Sequence, residues 1–243
     1  DAAIANLLAV AAGLERLRGE TGRVVRLAIE PEPLCVLETT AETLAFFARL
    51  RAAADAAGCG PAVREHVGLC YDVCHQAVEF EDAGAAIAAI ASAGIRIAKV
   101  HVSCAIELED PGDAGARAAL ARYAEPRYLH QTFARTADGR ILRDVDLSAA
   151  LAVAPPPEWL RAEAWRTHFH VPVNLERLGP LRTTRGDVQG ALAAVARLGL
   201  RPHIELETYT WPVLPGKAPT DVIEGLAGEL VATRDLVAAA GIA

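Results

Sequence analysis

The stretch Cys-Tyr-Asp-Val-Cys-His at residues 70–75 places an acid, Asp72, inside an apolar run, with an imidazole, His75, three positions later. A buried carboxylate is costly unless a partner or a cation compensates it. The same residue types recur where other apolar runs end. Glu30 closes Arg-Val-Val-Arg-Leu-Ala-Ile, His101 stands near the end of Ile-Arg-Ile-Ala-Lys-Val-His-Val-Ser, and Glu205 and Glu207 flank Leu206. Carboxylates with one imidazole form an oxygen-rich ligand set suited to Mn²⁺, Mg²⁺, Co²⁺ or Zn²⁺. His168 and His170 flank Phe169; His-x-His on a strand sets two imidazoles on one side, a common metal-ligand spacing.

For these groups to meet, the elements carrying them must run side by side. Leu7, Leu8, Ala11, Leu14 and Leu17 recur at helical spacing, so a first helix is predicted over about 2–18. Val24–Ile29 reads as a strand ending at Glu30. Thr39 or Thr40 with Glu42 marks the start of a helix. A second strand ends at Asp72, an alanine-rich helix ends at Gly94, and a third strand ends near His101. This β-α-β-α-β alternation is the signature of a parallel α/β sheet or barrel, whose strand ends share one rim. Residues 105–160 break the rhythm with two short strands about a turn at Asp138–Gly139. A further strand carries His168 and His170, a helix covers about 186–198, a last strand carries Glu205 and Glu207, and a helical tail runs from Thr220 to Ala240.

Composition removes several function classes. The net charge of −7 and the absence of a basic stripe argue against nucleic-acid binding. No apolar stretch reaches the ~20 residues that span a bilayer, so membrane insertion is not expected. Cys35, Cys59, Cys70, Cys74 and Cys104 are odd in number and lack disulfide spacing, which points to a reducing cytoplasm. There is no Gly-x-Ser-x-Gly elbow and no glycine-rich dinucleotide loop. Cys74 and His75 are chain neighbours, a poor arrangement for a nucleophile and its base. The chain has no methionine and opens inside a helical pattern, so it is expected to be a piece lacking its true beginning.

The order Ile-Glu-Pro-Glu-Pro, Tyr-Asp-Val-Cys-His, Lys-Val-His-Val-Ser and a glutamate on the last strand resembles the xylose-isomerase-like barrels. With Tyr-Leu-His-Gln at 128–131, His-Phe-His-Val-Pro-Val at 168–173 and Ile-Glu-Leu-Glu-Thr-Tyr-Thr-Trp at 204–211, the motifs resemble most closely the EboE-type metabolite-traffic proteins. The resemblance covers about residues 20–215. It implies a (β/α)8 TIM barrel of the xylose-isomerase-like type, present as an N-terminally truncated C-terminal half. The chain would be one partial barrel domain over 1–243, with an inserted hairpin region at about 105–165. It further implies that Glu30, Asp72, His101 and Glu207 bind one divalent metal, that Glu30 and Glu207 exchange protons with substrate, and that His75 touches substrate. The 168–173 segment resembles in position the one that endonuclease IV uses for an additional zinc, with His168 standing where that family has an acid.

The expected function is therefore metal-dependent isomerisation or epimerisation of a small hydroxycarbonyl metabolite, within secondary-metabolite processing or traffic. The metal would polarise the carbonyl while Glu30 and Glu207 move the proton. His75, His130, His168, His170, Glu205, Tyr209 and Trp211 are the expected substrate-binding residues, with Phe169, Tyr209 and Trp211 near the rim. Glu32 is expected to be solvated. The alternatives are a non-catalytic metal-dependent metabolite carrier and an endonuclease IV-like hydrolase. An open half-barrel would expose strand edges and apolar surface, which a homo-oligomer could cover.

Overall fold

Val67, Leu69 and Tyr71 alternate with Gly68, Cys70 and Asp72, and this period of two sends the first set into the hydrophobic core and the second to the opposite face of a strand. The same alternation governs three further strands, with one register shift just before Lys99 in the strand of His101, and places the candidate ligands from them on one face. The computed structural model describes residues 1–216 and 222–242. In chain order its elements begin with α1 (Ala2–Thr21), β1 (Leu27–Ile29), α2 (Thr40–Ala56), α3 (Gly60–His66), β2 (Val67–Asp72), α4 (Val73–Val78), α5 (Ala83–Ser92) and β3 (Ile97–Val102). Then come β4 (Cys104–Leu108), α6 (Ala114–Leu120), β5 (Thr132–Arg135), β6 (Ile141–Asp144), α7 (Ala149–Val153), α8 (Pro157–Leu160) and β7 (Ala164–Val171). The last are β8 (Arg177–Leu178), β9 (Leu181–Thr183), α9 (Arg185–Arg197), β10 (His203–Leu206) and α10 (Val222–Ala239). Thr220, the expected start of the tail helix, lies outside the described residues.

Two sheets form. The first is parallel, in the order β1-β2-β3-β10, with Asp72 registered beside His101 and His101 beside Glu205. Ile29, Leu69, Tyr71, Ile97, Val100, Val102, Ile204 and Leu206 join the core, where α2 packs on α5 and α5 on α9. Ala28, Glu30, Cys70, Asp72, Lys99, His101, His203, Glu205 and Glu207 occupy the alternate positions. The protein is thus a mixed α/β chain whose parallel sheet has one apolar and one polar face. The second sheet is antiparallel, in the order β6-β5-β7-β4-β9-β8. The predicted hairpin about Asp138–Gly139 is β5–β6, with Gly139 at φ 83 in the turn. It belongs to a sheet whose strands come from residues 104–183 and include the His168–His170 strand. All five cysteines are free, and no helix among the described residues is long and apolar enough to cross a membrane.

Local signals explain where helices start. The Thr39 hydroxyl accepts from the Glu42 amide while the Glu42 carboxylate accepts from the Thr39 amide, a complete capping box. Asp72 ends β2 and caps α4 at once: its Oδ1 accepts from the His75 amide at 2.9 Å. The Asp-x-x-His spacing is therefore that of a cap and the third residue of a first turn, which sets both side chains at one end of the helix.

Helix α10 docks on Trp211 through Gly225, where an added Cβ would lie 2.3 Å from the indole ring. Alanine there gains about 0.5–1 kcal/mol of helix propensity but forces the ring or the helix to move, at a cost of about 1–3 kcal/mol. Gly225→Ala is expected to lower stability in denaturant unfolding; an increase would mean that the contact yields freely.

A second coupling joins α4 to the antiparallel sheet. Arg143 on β6 donates to Glu79 Oε2 and to Glu38 Oε2, each at 3.1 Å. Burial pushes the Glu79 carboxyl up to about 8, with Arg143 pulling it down and Glu38 adding to the rise. Between its ordinary value of 4.5 and about 8, folded Glu79 holds a proton that the unfolded chain has released. Stability contributed by this group therefore falls as pH rises through that window. Glu79→Gln is expected to flatten the fall in unfolding temperature between pH 5 and 8, and an unchanged slope would refute this assignment.

Candidate metal centre

Four elements of the parallel sheet deliver four groups to one point. Glu30 follows β1, Asp72 ends β2, His101 is the penultimate residue of β3, and Glu207 follows β10 with its amide donating to Val102 O. The Nδ1 atom of His101 lies 2.9 Å from Glu30 Oε1, 2.8 Å from Glu207 Oε2 and 3.3 Å from Asp72 Oδ2. One ring nitrogen carries at most one proton, so it cannot bond all three oxygens. Asp72 Oδ2 and Glu207 Oε2 are buried and without a hydrogen-bond partner. Burial pushes the His101 imidazole down, but the surrounding Asp72, Cys70, Glu207 and Glu30 outweigh it, so that without a cation the ring is driven above its ordinary value. Burial also acts to raise the Asp72 carboxyl, yet His75, His170 and His101 hold it well below the usual range.

These separations fit a divalent cation. Ligands in an octahedron with bonds of about 2.1 Å stand about 3 Å apart, and the three contacts above scatter about that value. Asp72 is aimed by its other oxygen: Oδ1 accepts from the His75 amide and from Ser103 Oγ, both at 2.9 Å, which leaves Oδ2 for the cluster. The donor set is three carboxylate oxygens and one imidazole nitrogen, all within 4.8 Å of one another.

A second cluster of imidazoles adjoins the first. His75 Nδ1 faces Pro31 O at 3.0 Å, His170 Nδ1 faces Glu207 O at 2.8 Å, and His168 Nδ1 faces Gln131 Oε1 at 2.7 Å. Gln131 Nε2 donates to Pro33 O, so its oxygen is the atom turned to His168. Carbonyl oxygens only accept, so each neutral ring carries its proton on Nδ1 and presents a lone pair at Nε2. His168 Nε2 and His170 Nε2 stand 3.1 Å apart. Two facing lone pairs repel unless a proton or cation lies between them. Burial, reinforced by His75 and His170, pushes the His168 ring well below its ordinary value, which disfavours the proton. Tetrahedral zinc with Zn–N bonds of about 2.0–2.1 Å sets its nitrogens about 3.3 Å apart, close to the observed spacing. The Nδ1–carbonyl bonds are the outer contacts that orient ligating histidines. Asp72 joins the two clusters, since it also lies within ligand reach of His75 and His170.

A cavity of about 190 Å³ opens over both clusters, lined by Glu30, Glu32, His75, His168, His170, Glu207 and Tyr209. A larger hollow of about 550 Å³ lies at the other end of the same sheet, lined by Arg26, Lys99, Arg201 and His203, and holds none of these ligands. Size alone would select the wrong end.

Other predicted residues fall elsewhere. Trp211, expected near the rim, instead points its indole into the core side and donates to Glu229 Oε1. Phe169 faces away from the histidines beside it, stacked on His130 and edge-on to Tyr123. His130 is buried under this layer, between His168 O and Glu125, and does not line the cavity. Glu205 is held by an ion pair with Lys99 and reaches only to 4.0 Å from His101 Nε2. Among the described residues, Tyr209 is the only phenol, indole or phenyl ring in the cavity wall, 4.7 Å from His170 and 4.9 Å from Tyr128 between ring centres. Glu32, solvated by the sequence reading, lines the cavity with its Oε1 3.9 Å from His168 Nδ1. It sits in a loop held tightly enough to keep Leu34 at φ 62, an unusual backbone for a branched side chain.

No family model, curated protein or solved structure matches this chain. The functional reading therefore rests on the chemistry of the site.

Proposed function

We propose that this protein is a divalent-metal-dependent enzyme of the isomerase or epimerase type, acting on a small hydroxycarbonyl metabolite. Glu30, Asp72, His101 and Glu207 would hold the metal. The observation that carries the reading is the convergence of three carboxylates on one ring nitrogen of His101, with two of their oxygens unpartnered. A bound cation supplies Lewis acidity at a substrate carbonyl and so acidifies the neighbouring C–H bond. Glu30 and Glu207 both line the cavity, arriving from opposite edges of the four-stranded sheet, and each can take or return that proton at a carboxylate oxygen. His75 and His170, fixed at Nδ1 by carbonyls, bind substrate oxygens through Nε2 when no second ion occupies them. Tyr209 covers one side and limits water. The parallel order β1-β2-β3 and the gathering of polar groups at strand C-terminal ends support a barrel of the xylose-isomerase-like, EboE-related kind as the parent fold. A cytoplasmic setting belongs to the same reading.

The test is solvent-deuterium incorporation beside the carbonyl of small hydroxyketones and hydroxyaldehydes, followed by NMR with metal-loaded protein. Exchange is expected in the wild type, and Glu207→Gln is expected to abolish it while the metal stays bound. Exchange retained in the variant would reject the role of Glu207, and none in the wild type would reject the isomerase chemistry.

One observation favours a second reading. Because Asp72 lies within reach of both clusters, its carboxylate would be shared between two cations, an arrangement suited to hydrolysis of phosphate esters. Hydrolysis of an activated phosphodiester with two zinc equivalents, lost in His170→Phe, would select it. The charge of −7 argues against DNA as that substrate. The carrier alternative loses support, because Trp211 and Phe169 do not face the cavity.

A further inference from the structure

Glu229 lies on α10, outside both clusters, and is fully buried. Among the described residues no cationic side chain pairs with it. Its carboxylate instead accepts three hydrogen bonds: Oε2 from the Val173 amide at 2.9 Å and the Thr208 hydroxyl at 2.8 Å, and Oε1 from the Trp211 indole at 2.6 Å. These donors belong to two chain segments. Val173 follows the strand that carries His168 and His170, and Thr208 directly follows Glu207, with Trp211 three residues on. The two segments are also bonded to each other, by His170 Nδ1 donating to Glu207 O at 2.8 Å and by the Thr210 hydroxyl donating to His170 O.

A buried anion without a cation is an expensive way merely to dock a helix; apolar side chains do that at lower cost. What the carboxylate supplies is two acceptor oxygens that bind both segments at once. We infer that Glu229 is a positioning residue for the metal centre, clamping the arm that carries His170 against the arm that carries Glu207. This rests on the metal reading above and adds to it a residue that touches no ligand atom.

Glutamine shows why the charge matters. It keeps the shape but has one acceptor oxygen and one NH₂ group. With the NH₂ toward Trp211, the indole N–H loses its acceptor. With the NH₂ toward Val173, the backbone N–H loses its acceptor, even if Thr208 rotates to receive. Either way one arm is released from α10.

The test is Zn²⁺ and Mn²⁺ affinity, measured by chelator competition on chelator-stripped protein. Wild type is compared with Glu229→Gln, Trp211→Phe and Leu236→Ala. Leu236→Ala is the control, since Leu236 is a buried residue of the same helix that makes none of these bonds. Glu229→Gln is expected to weaken metal binding by about tenfold or more, the scale on which loss of an outer partner acts. Trp211→Phe, which removes one donor and leaves the carboxylate, is expected to weaken it in the same direction. Leu236→Ala is expected to lower the unfolding temperature of the apo protein and leave affinity within about twofold of wild type. Should Glu229→Gln not fold, Trp211→Phe compared with Leu236→Ala decides the matter. Affinity unchanged in the foldable clamp variants, or lowered equally by Leu236→Ala, overturns the positioning role while the metal reading stands. A wild type that binds neither ion overturns both.

Discussion

Chelator-stripped protein is expected to gain about 5–10 °C in unfolding temperature when Mn²⁺ or Zn²⁺ is added at a hundred times its dissociation constant. The figure follows from about 2.7 kcal/mol of linkage and about 2–4 °C per kcal/mol for a chain of this size. Asp72→Asn is expected to remove the shift. Asparagine keeps an oxygen for the His75 amide and Ser103 hydroxyl, so the cap of α4 and the fold survive. What is lost is the charge on Oδ2, the atom aimed at His101 Nδ1. Without metal, the variant is expected to be less stable than wild type, because, despite burial, the imidazoles around Asp72 favour its ionised form and asparagine removes that charge. What separates a metal site from a structural ion pair is the loss of the metal-induced shift over and above that difference. A shift of wild-type size in the variant would mean that Asp72 serves only to pair with His101.

The second large effect concerns the three imidazoles. Zinc titration of the stripped protein is expected to show two equivalents bound, and His168→Phe or His170→Phe to leave one. The second equivalent should weaken at least about a hundredfold, or about 2.7 kcal/mol. The replacement is close in volume, which suits a site where both rings are almost fully buried. Isothermal titration with stoichiometry from elemental analysis reads the result. One equivalent in the wild type would mean that the facing Nε2 atoms share a proton instead, and the two-cation hydrolase reading would fall.

Much of the metal centre is legible in the sequence because strand periodicity is local. Once Asp72 is put at the end of an apolar run, the period of two fixes its face, and the same rule puts Glu30, His101 and Glu207 on that face in parallel neighbours. The cap at Thr39 with Glu42 is legible for the same reason, since its signal spans four residues. What escapes depends on distant chain. The third strand reads as ending near His101, but nothing in the Cys-Ala-Ile-Glu-Leu run that follows Ser103 reveals a strand of an antiparallel sheet, paired with β7 and β9 far along the sequence. Glu32 reads as solvated because prolines on both sides resemble an open loop, whereas the loop folds back over the histidines. A rim position for Phe169 runs against the very alternation that groups His168 with His170: the residue between them must face the other way. Trp211 sits past the end of β10, where that rule no longer applies, and its position is set by Glu229 more than fifteen residues later.

Everything proposed for the site requires a cation among Glu30, Asp72, His101 and Glu207. The most direct measurement is the metal content of purified protein by elemental mass spectrometry, after exchange into metal-free buffer, beside the Asp72→Asn, Glu207→Gln double variant. At least one equivalent of a divalent transition metal or magnesium retained by the wild type, and absent from the double variant, is the predicted result. No retained metal in the wild type, with none taken up from micromolar Mn²⁺ or Zn²⁺, would contradict it.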